Sequence, residues 1–239
     1  MTRAISSFSG SASLRNWLLY PSIAGRENIS RWKRATLLCG WMNKLSEEVI
    51  QSDALMADAD EAVQALGKWY SLNMELLEQE NLLDFSVIQL EALRLLERNP
   101  ETVLAPLREK IRYIMVDEYQ DTNTIQERLL FTLLDERQNI CVVGDDDQGL
   151  YRFRGATIRN ILEFPHRSPE GCCAVHTLTA NYRSDPGIIA FYNRWMDGSI
   201  DGFSWNGPDS KIFRYAKTIV PPDSKAVLNA PVLRVCGGA

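Results

Sequence analysis

The sequence lacks the features of several large classes of protein. No apolar run approaches the length of about eighteen residues that a membrane-spanning helix needs. The N-terminal stretch MTRAISSFSGSASLRNW has no apolar segment of the secretory type. The five cysteines show no C-x-x-C spacing and only two histidines are present, so a disulfide framework and a zinc site of four soft ligands are both disfavoured. The expected location is the cytoplasm, with no membrane partner.

The composition that remains is typical of a globular protein. The chain has 239 residues, of which 45% are hydrophobic and 24% are charged. Eight Phe, eight Tyr and six Trp argue against intrinsic disorder, because these residues supply apolar surface that can be buried on folding. The length suits one large domain or two small ones.

Charge is distributed unevenly around a formal net charge of −5. Residues 1–34 hold six basic residues and one acid, whereas residues 45–101 hold thirteen acids and three bases. Both segments can be ordinary solvated surface. Alternatively the basic segment, which also contains Trp17, Tyr20 and Trp32, lies along a phosphate backbone. Composition alone leaves both readings open.

The pattern of apolar residues predicts a helical first part followed by an α/β part. Helical spacing predicts one helix over residues 45–66 and another that begins after Asp84 and ends at Asn99-Pro100. Residues 111–116 and 139–143 are short apolar runs separated by a leucine-rich helical stripe, which is typical of parallel strands.

The pattern continues less regularly toward the C-terminus. Residues 176–180 are a third candidate strand, and Asp185 and Pro186 suit the N-cap and first position of a helix. Beyond residue 197 the sequence is rich in Gly, Pro, Asp and Ser, which predicts loops around one further strand near 211–216.

Acidic residues follow both of the better-defined strands. Asp117-Glu118 comes directly after the first, and Gly144-Asp-Asp-Asp-Gln148 after the second. One acid at a strand end can hold Mg²⁺ while the next orients or deprotonates an attacking water, although acids also favour such turns as helix caps. Three adjacent carboxylates repel one another, and a Mg²⁺-nucleotide or the basic side chains of Arg152 and Arg154 would relieve the repulsion.

Two further motifs combine rings and cations. Tyr151-Arg-Phe-Arg154 alternates them, as a surface that stacks on bases and contacts phosphates would, or as an amphipathic edge whose rings are core. Asn181-Tyr-Arg-Ser184 places a planar cation where it could meet a phosphate, although a plain surface arginine would look the same.

Together these segments resemble a known family. Val116-Asp-Glu-Tyr-Gln-Asp-Thr-Asn123, Val143-Gly-Asp-Asp-Asp-Gln-Gly-Leu-Tyr-Arg-Phe-Arg-Gly-Ala156 and Asn181-Tyr-Arg-Ser184 follow the order of motifs II, III and IV of the UvrD/Rep superfamily 1 DNA helicases. The resemblance is specific over about residues 82–196. It implies an α/β fold, in which residues 111–196 are part of a RecA-like parallel-sheet P-loop NTPase motor. Residues 1–110 would then be a mainly helical inserted subdomain, and residues 197–239 the loop-rich start of a second motor domain.

The resemblance also implies roles for individual residues. Asp117 would bind Mg²⁺, with Glu118 beside it activating the hydrolytic water. Gln148 would sense the γ-phosphate, Arg183 would contact it as an arginine finger, and Tyr182 would stack on the adenine. The single-stranded DNA would meet Tyr151, Phe153 and Arg154. The implied cofactors are ATP and Mg²⁺, and the implied activity is ATP-driven 3′-to-5′ movement on single strands and unwinding of duplex DNA.

One element of this family is missing from the sequence. A P-loop reads G-x-x-x-x-G-K-[ST], and no such run occurs, since Trp69 follows Gly67-Lys68 and Leu150 follows Gly149. We therefore expect a portion of a helicase that is inactive alone, with the P-loop in missing segments or in a second polypeptide. The alternatives are an ATP-independent single-stranded DNA-binding or regulatory protein and a metal-dependent nuclease built on the acidic clusters.

Overall fold

The computed structural model describes residues 30–150, 156–168, 171–197 and 214–222, which fall into two compact units. Within that part of the chain the first unit comprises residues 30–145, 149–150 and 156–160, and the second comprises 146–148, 161–168, 171–197 and 214–222. No helix in the described residues is both long enough and apolar enough to cross a bilayer.

Four helices come first among the described residues of the first unit. They are α1 Arg31–Glu47, α2 Ser52–Met56, α3 Glu61–Gln79 and α4 Phe85–Arg98. The single helix predicted over residues 45–66 is wrong, because α1 ends and two further helices follow. At the break Val49 takes a left-handed conformation with φ of 56°, and the amides of Val49 and Ile50 donate to the carbonyls of Ser46 and Leu45. This bonding closes the helix as a Schellman motif does, but with valine where glycine is usual.

Two clusters of buried side chains hold these helices together. In one, Met42 and Leu45 of α1 pack with Trp69 and Tyr70 of α3. The Tyr70 hydroxyl is hydrogen-bonded to the buried Ser46 hydroxyl at 3.0 Å, so the polar end of this ring is satisfied. The other cluster joins Leu90 and Leu93 of α4 to Ile125, which comes from a helix described below.

The helix predicted after Asp84 is confirmed. The Asp84 carboxylate accepts the Val87 amide at 2.8 Å, which caps α4, and the helix ends at Arg98. The chain then becomes helical again, through a π-helical turn over Pro100–Leu104 and α5 Ala105–Lys110.

A small parallel sheet follows. Strand β1 is Ile114–Val116 and β2 is Ile140–Val142, and Met115 pairs with Cys141 in their register. Helix α6 Thr124–Leu133 connects them, as the strand–helix–strand pattern of the sequence predicts. Asn123 caps α6 in a capping box with Gln126, in which each side chain accepts the other residue's amide.

The described residues of the second unit contain one long helix and several short elements. Its main helix, which we call α8, spans Pro186–Met196 and is capped by Asp185 as predicted. The third strand predicted over residues 176–180 is wrong: these residues are irregular, and within the part of the chain that the structure describes they make a single parallel bridge, between Ala180 and Val220. Residues 214–216 are not a strand either, and 211–213 lie outside the described residues. The remaining short elements of the described residues are α7 Arg159–Glu163, where the two units meet in sequence, and 3-10 turns over Tyr119–Asp121, Asp146–Gln148 and Phe164–His166.

Candidate functional site

The pair Asp117-Glu118 lies at the carboxyl end of β1, as the sequence predicts. The Val143 amide donates to the Val116 carbonyl at 2.8 Å, and the Tyr119 amide donates to the Val143 carbonyl at 2.9 Å. These bonds hold the turn after β1 against the end of β2. Ligands of parallel α/β sheets bind beyond this edge, so both carboxylates lie where such a ligand would be.

Glu118 is held in an uncommon conformation by a neighbour that the sequence analysis missed. Its φ of 50° is left-handed, which is unusual for a residue other than glycine or asparagine. The Oε2 of Glu118 accepts a hydrogen bond from the Nε2 of Gln120 at 2.7 Å. The Oε1 of Gln120 accepts one from the backbone amide of Asp145 at 3.0 Å. Through these two hydrogen bonds Gln120 links Glu118 to the end of β2, and its side chain is buried, with 1% exposed. The sequence offers one signal for this role: Gln120 lies two residues after Glu118, and its side-chain amide can donate and accept hydrogen bonds at the same time.

Tyr119 connects this turn to helix α6. Its side chain is fully buried, and its hydroxyl donates to the buried carboxylate of Glu127 in α6 at 2.9 Å. The same turn is held by Asn160, whose Nδ2 donates a hydrogen bond to the hydroxyl of Thr122 at 3.1 Å. The exposed carboxylates of Asp117 and Glu118 are thus presented by a buried, hydrogen-bonded support.

Asp117 has the chemistry that a magnesium ligand needs. It is exposed, and its Oδ1 accepts the amide of Glu118 at 2.9 Å, which orients the carboxylate. Mg²⁺ is usually bound through one or two carboxylates together with phosphates and waters rather than by a protein cage. In the described ranges no group of three or more His, Cys, Asp or Glu side chains could hold a metal ion. A single oriented carboxylate such as that of Asp117 fits a magnesium ion that takes its other ligands from waters and phosphates.

Two acids of the run after β2, Asp146 and Asp147, are paired with cations that the sequence analysis did not select. Arg214 donates two hydrogen bonds to Asp147, from Nε to Oδ1 at 2.7 Å and from a terminal nitrogen to Oδ2 at 3.0 Å. Lys217 bonds to Asp146 and also reaches the Oδ2 of Asp147 at 3.1 Å. Charge relief was expected from a nucleotide or from Arg152 and Arg154, and those two arginines lie outside the described residues.

The Asp147 carboxylate is stabilised in its charged form. Burial raises the pKa of Asp147, but hydrogen bonds from Arg214, Tyr192 and Lys217 outweigh burial and hold the pKa below its usual range. In turn, Asp147 raises the pKa of Arg214 although burial acts in the opposite direction. These acids are already paired with protein cations, so their geometry gives no support to a nuclease metal site there.

The other predicted nucleotide residues lie in the second unit. Gln148 is exposed at the end of its 3-10 turn. Tyr182 and Arg183 are exposed on the turn that precedes α8. Asn181 shapes this turn, because its Oδ1 accepts the amides of both Arg183 and Ser184 at 2.9 Å.

The predicted site residues are thus divided between the two units. Asp117 and Glu118 belong to the first, while Gln148, Tyr182 and Arg183 belong to the second. The predicted DNA-contacting residues Tyr151, Phe153 and Arg154 lie outside the described residues. The role of every one of these residues stays a prediction.

Comparison with known proteins decides the family. The model of the UvrD/REP helicase N-terminal domain matches residues 13–169, which is more than half of the chain. The chain belongs to this family. The family resemblance of motifs II and III is thereby confirmed, because both lie within the matched residues.

Individual UvrD/REP relatives are bacterial helicases. The ATP-dependent DNA helicase Rep of Buchnera aphidicola subsp. Baizongia pistaciae is 33% identical over 180 residues, which are 75% of this chain and 24% of that protein. The ATP-dependent DNA helicase PcrA of Staphylococcus aureus is 38% identical over 165 residues, or 68% of this chain and 22% of that protein. PcrA of Bacillus subtilis is 44% identical over 119 residues, or 50% and 16%. The chain thus spans about a quarter or less of the length of these relatives.

Proposed function

We propose that this chain is part of an ATP-dependent DNA helicase that moves 3′ to 5′ along single-stranded DNA. The observation that carries the proposal is the Asp117-Glu118 pair at the carboxyl end of β1, held by Gln120 in a member of the UvrD/REP family. Its relatives Rep and PcrA are ATP-dependent DNA helicases by name. We infer that residues 111–196 are part of a RecA-like core, that residues 1–110 are the helical accessory subdomain and that residues 197–239 start a second motor domain.

The proposed chemistry is phosphoryl transfer from ATP to water. A bound Mg²⁺ would neutralise charge on the phosphates, and Asp117 would hold it. Glu118 orients the attacking water and accepts its proton, and the bond from Gln120 fixes where that carboxylate lies. Gln148 and Arg183 supply a hydrogen-bond donor and a cation for the γ-phosphate. Tyr182, which is 73% exposed, offers its ring to the adenine.

The proposal also covers what this chain cannot supply by itself. The sequence has no G-x-x-x-x-G-K-[ST] run, whose amides and lysine stabilise the phosphates in P-loop enzymes. We therefore propose that the chain alone hydrolyses ATP very slowly and that a second polypeptide or a further segment provides this loop. DNA would be contacted through Tyr151, Phe153 and Arg154. The predicted cytoplasmic location stays a prediction.

The test is ATP hydrolysis by the purified chain, with and without single-stranded DNA. The same assay is run after adding a polypeptide that carries the P-loop region of a Rep or PcrA relative, and each condition is repeated with Glu118→Gln. We expect no turnover above Glu118→Gln for the chain alone, and DNA-stimulated turnover that Glu118→Gln abolishes once the loop is supplied. Turnover that survives Glu118→Gln in the completed protein would reject the assigned base.

The same samples separate the proposal from its alternatives. Binding of single-stranded DNA with a steep salt dependence and no response to ATP would favour a regulatory DNA-binding protein. Cleavage of DNA with Mg²⁺ or Mn²⁺ in the absence of nucleotide would favour a nuclease. The pairing of Asp146 and Asp147 with Lys217 and Arg214 is the observation against the nuclease.

A further inference from the structure

The turn Asp146–Gln148 belongs to a different unit from the residues on either side of it. Asp145 and Gly149 are part of the first unit, whereas the three residues between them are part of the second. A turn of this kind is held by contacts to residues that are remote in sequence. In this turn such contacts are made by Asp146 and Asp147, the two residues that lead to the exposed Gln148.

The strongest of these contacts is the ion pair between Asp147 and Arg214. The two residues are 67 positions apart in sequence. The two bonds of the guanidinium fix the carboxylate in a plane, which a single bond or an ammonium would not do. The Asp147 side chain is only 7% exposed and that of Arg214 8% exposed, so water screens the pair weakly.

Further bonds restrain the same turn from two directions. Lys217 bonds to both Asp146 and Asp147, and the amide of Tyr215 donates to the Oδ2 of Asp146 at 2.7 Å. From α8, the hydroxyl of Tyr192 donates to Asp147. We call the four charged residues of this group, Asp146, Asp147, Arg214 and Lys217, the clamp.

The clamp is balanced in charge. Two adjacent carboxylates repel each other when buried, and two cations offset this repulsion. Removing one cation would leave two buried carboxylates with a single cation between them, which is more disruptive than losing an exposed pair. The turn is therefore expected to lose its fixed position when either cation is removed, even where the rest of the unit stays folded.

We propose that Arg214 and Lys217 are positioning residues for Gln148, and that they hold the Asp146–Gln148 turn on the unit that carries Tyr182 and Arg183. The role of Gln148 toward a nucleotide rests on the proposed function. The clamp would then make Gln148 and Arg183 parts of one body, so that both approach the γ-phosphate together. Neither Arg214 nor Lys217 touches the reacting atoms in this scheme.

The first experiment measures order at single backbone amides by ¹⁵N NMR relaxation in the nucleotide-free chain. In the unchanged protein we expect order parameters of about 0.85 at Asp147, Gln148 and Arg183. In Arg214→Ala the values at Asp147 and Gln148 should fall below about 0.6, while that at Arg183 stays high. Arg214→Lys, which keeps the charge but not the fork, should restore part of the order. Arg167→Ala, which removes an exposed ion pair with Glu163 in the same unit, is the matched control.

The outcomes separate positioning from general stability. Unchanged order at Gln148 in Arg214→Ala would overturn the proposal, as would an equal loss of order at Gln148 and Arg183, since that is the result of a merely structural role. If Arg214→Ala fails to fold, two milder variants are read in the same way: Tyr192→Phe, which removes a hydrogen bond to Asp147, and Lys217→Met, which removes the ion pairs with Asp146 and Asp147. No step uses nucleotide, so failure of the ATP hydrolysis assay and failure of the clamp are independent results.

Discussion

At the scale of single residues, the position of Gln120 is the most sensitive in the candidate site. Its side-chain amide donates to Glu118 and accepts from the amide of Asp145, and it is almost completely buried. A glutamate of nearly the same shape would keep the acceptor but would replace the donor with a second negative charge beside Glu118.

Gln120→Glu is therefore expected to lower the free energy of unfolding at neutral pH by about 2–3 kcal/mol, because a hydrogen bond to a charged group is lost and a charge is buried. Repulsion raises the pKa of the introduced carboxyl above its unfolded value of about 4.3, so the loss should shrink as the pH falls toward that value. Urea unfolding at several pH values measures both effects.

The matched control makes the same chemical change at Gln126, which is exposed in the first turn of α6. There the side chain only accepts, from the amide of Asn123, and a negative charge suits a helix N-terminus. Gln126→Glu should leave stability unchanged or slightly raised. Equal losses in the two variants would mean that the link from Gln120 to Glu118 does not form in solution.

At the scale of secondary-structure elements, alanine substitutions at two helical glycines are expected to have opposite effects on stability. A Cβ at Gly67 in α3 would lie 2.8 Å from the Cβ of Leu55 and 3.0 Å from the backbone nitrogen of Met56, both in α2. A Cβ at Gly40 in α1 would meet nothing within 4 Å. Gly67 thus allows α2 and α3 to approach closely, whereas Gly40 has no such role.

Gly67→Ala should destabilise the protein by about 1–3 kcal/mol, because overpacking outweighs the gain in helix propensity. Gly40→Ala should stabilise it by about 0.5–1 kcal/mol. Thermal and urea unfolding of the two variants measure the difference. A gain in stability from both would show that α2 does not pack against α3 as described.

The elements also show which parts of a fold are readable from sequence. The cap at Asp84 and the Asp185-Pro186 start of α8 were predicted because N-capping is local chemistry. The break after α1 was missed because a valine, which rarely adopts positive φ, occupies the left-handed position at Val49. The strand predicted over residues 176–180 failed because an apolar run becomes a strand only where a partner strand is available, and among the described residues its pairing is limited to one bridge.

At the scale of the whole molecule, the candidate site was predictable as far as it consists of contiguous motifs. Asp117 and Glu118 follow β1 as expected, because a strand end is set by the residues on either side of it. The partners of Asp147 could not be predicted, since Arg214 is 67 residues away and no local pattern connects the two. Division of the site residues between two units was equally out of reach, because it depends on long-range packing.

The two faces of the β1–β2 sheet differ in their exposure. Parallel sheets usually bury both faces, yet Met115 is 83% exposed and its register partner Cys141 is exposed as well. The neighbouring position Ile114 points to the other face and is partly buried. One face of this sheet is therefore partly buried, and the other presents exposed side chains.

Met115→Gln should change the free energy of unfolding by no more than about 0.5 kcal/mol and should reduce binding of a dye that reports exposed apolar surface. Ile114→Gln should cost about 2 kcal/mol or more, because it buries a polar group where an apolar one packs. Sedimentation as a function of concentration accompanies both measurements. If Met115→Gln proves as costly as Ile114→Gln, the Met115 side chain is packed in solution. If it also dissociates an oligomer of the unchanged protein, another copy of the chain covers this face.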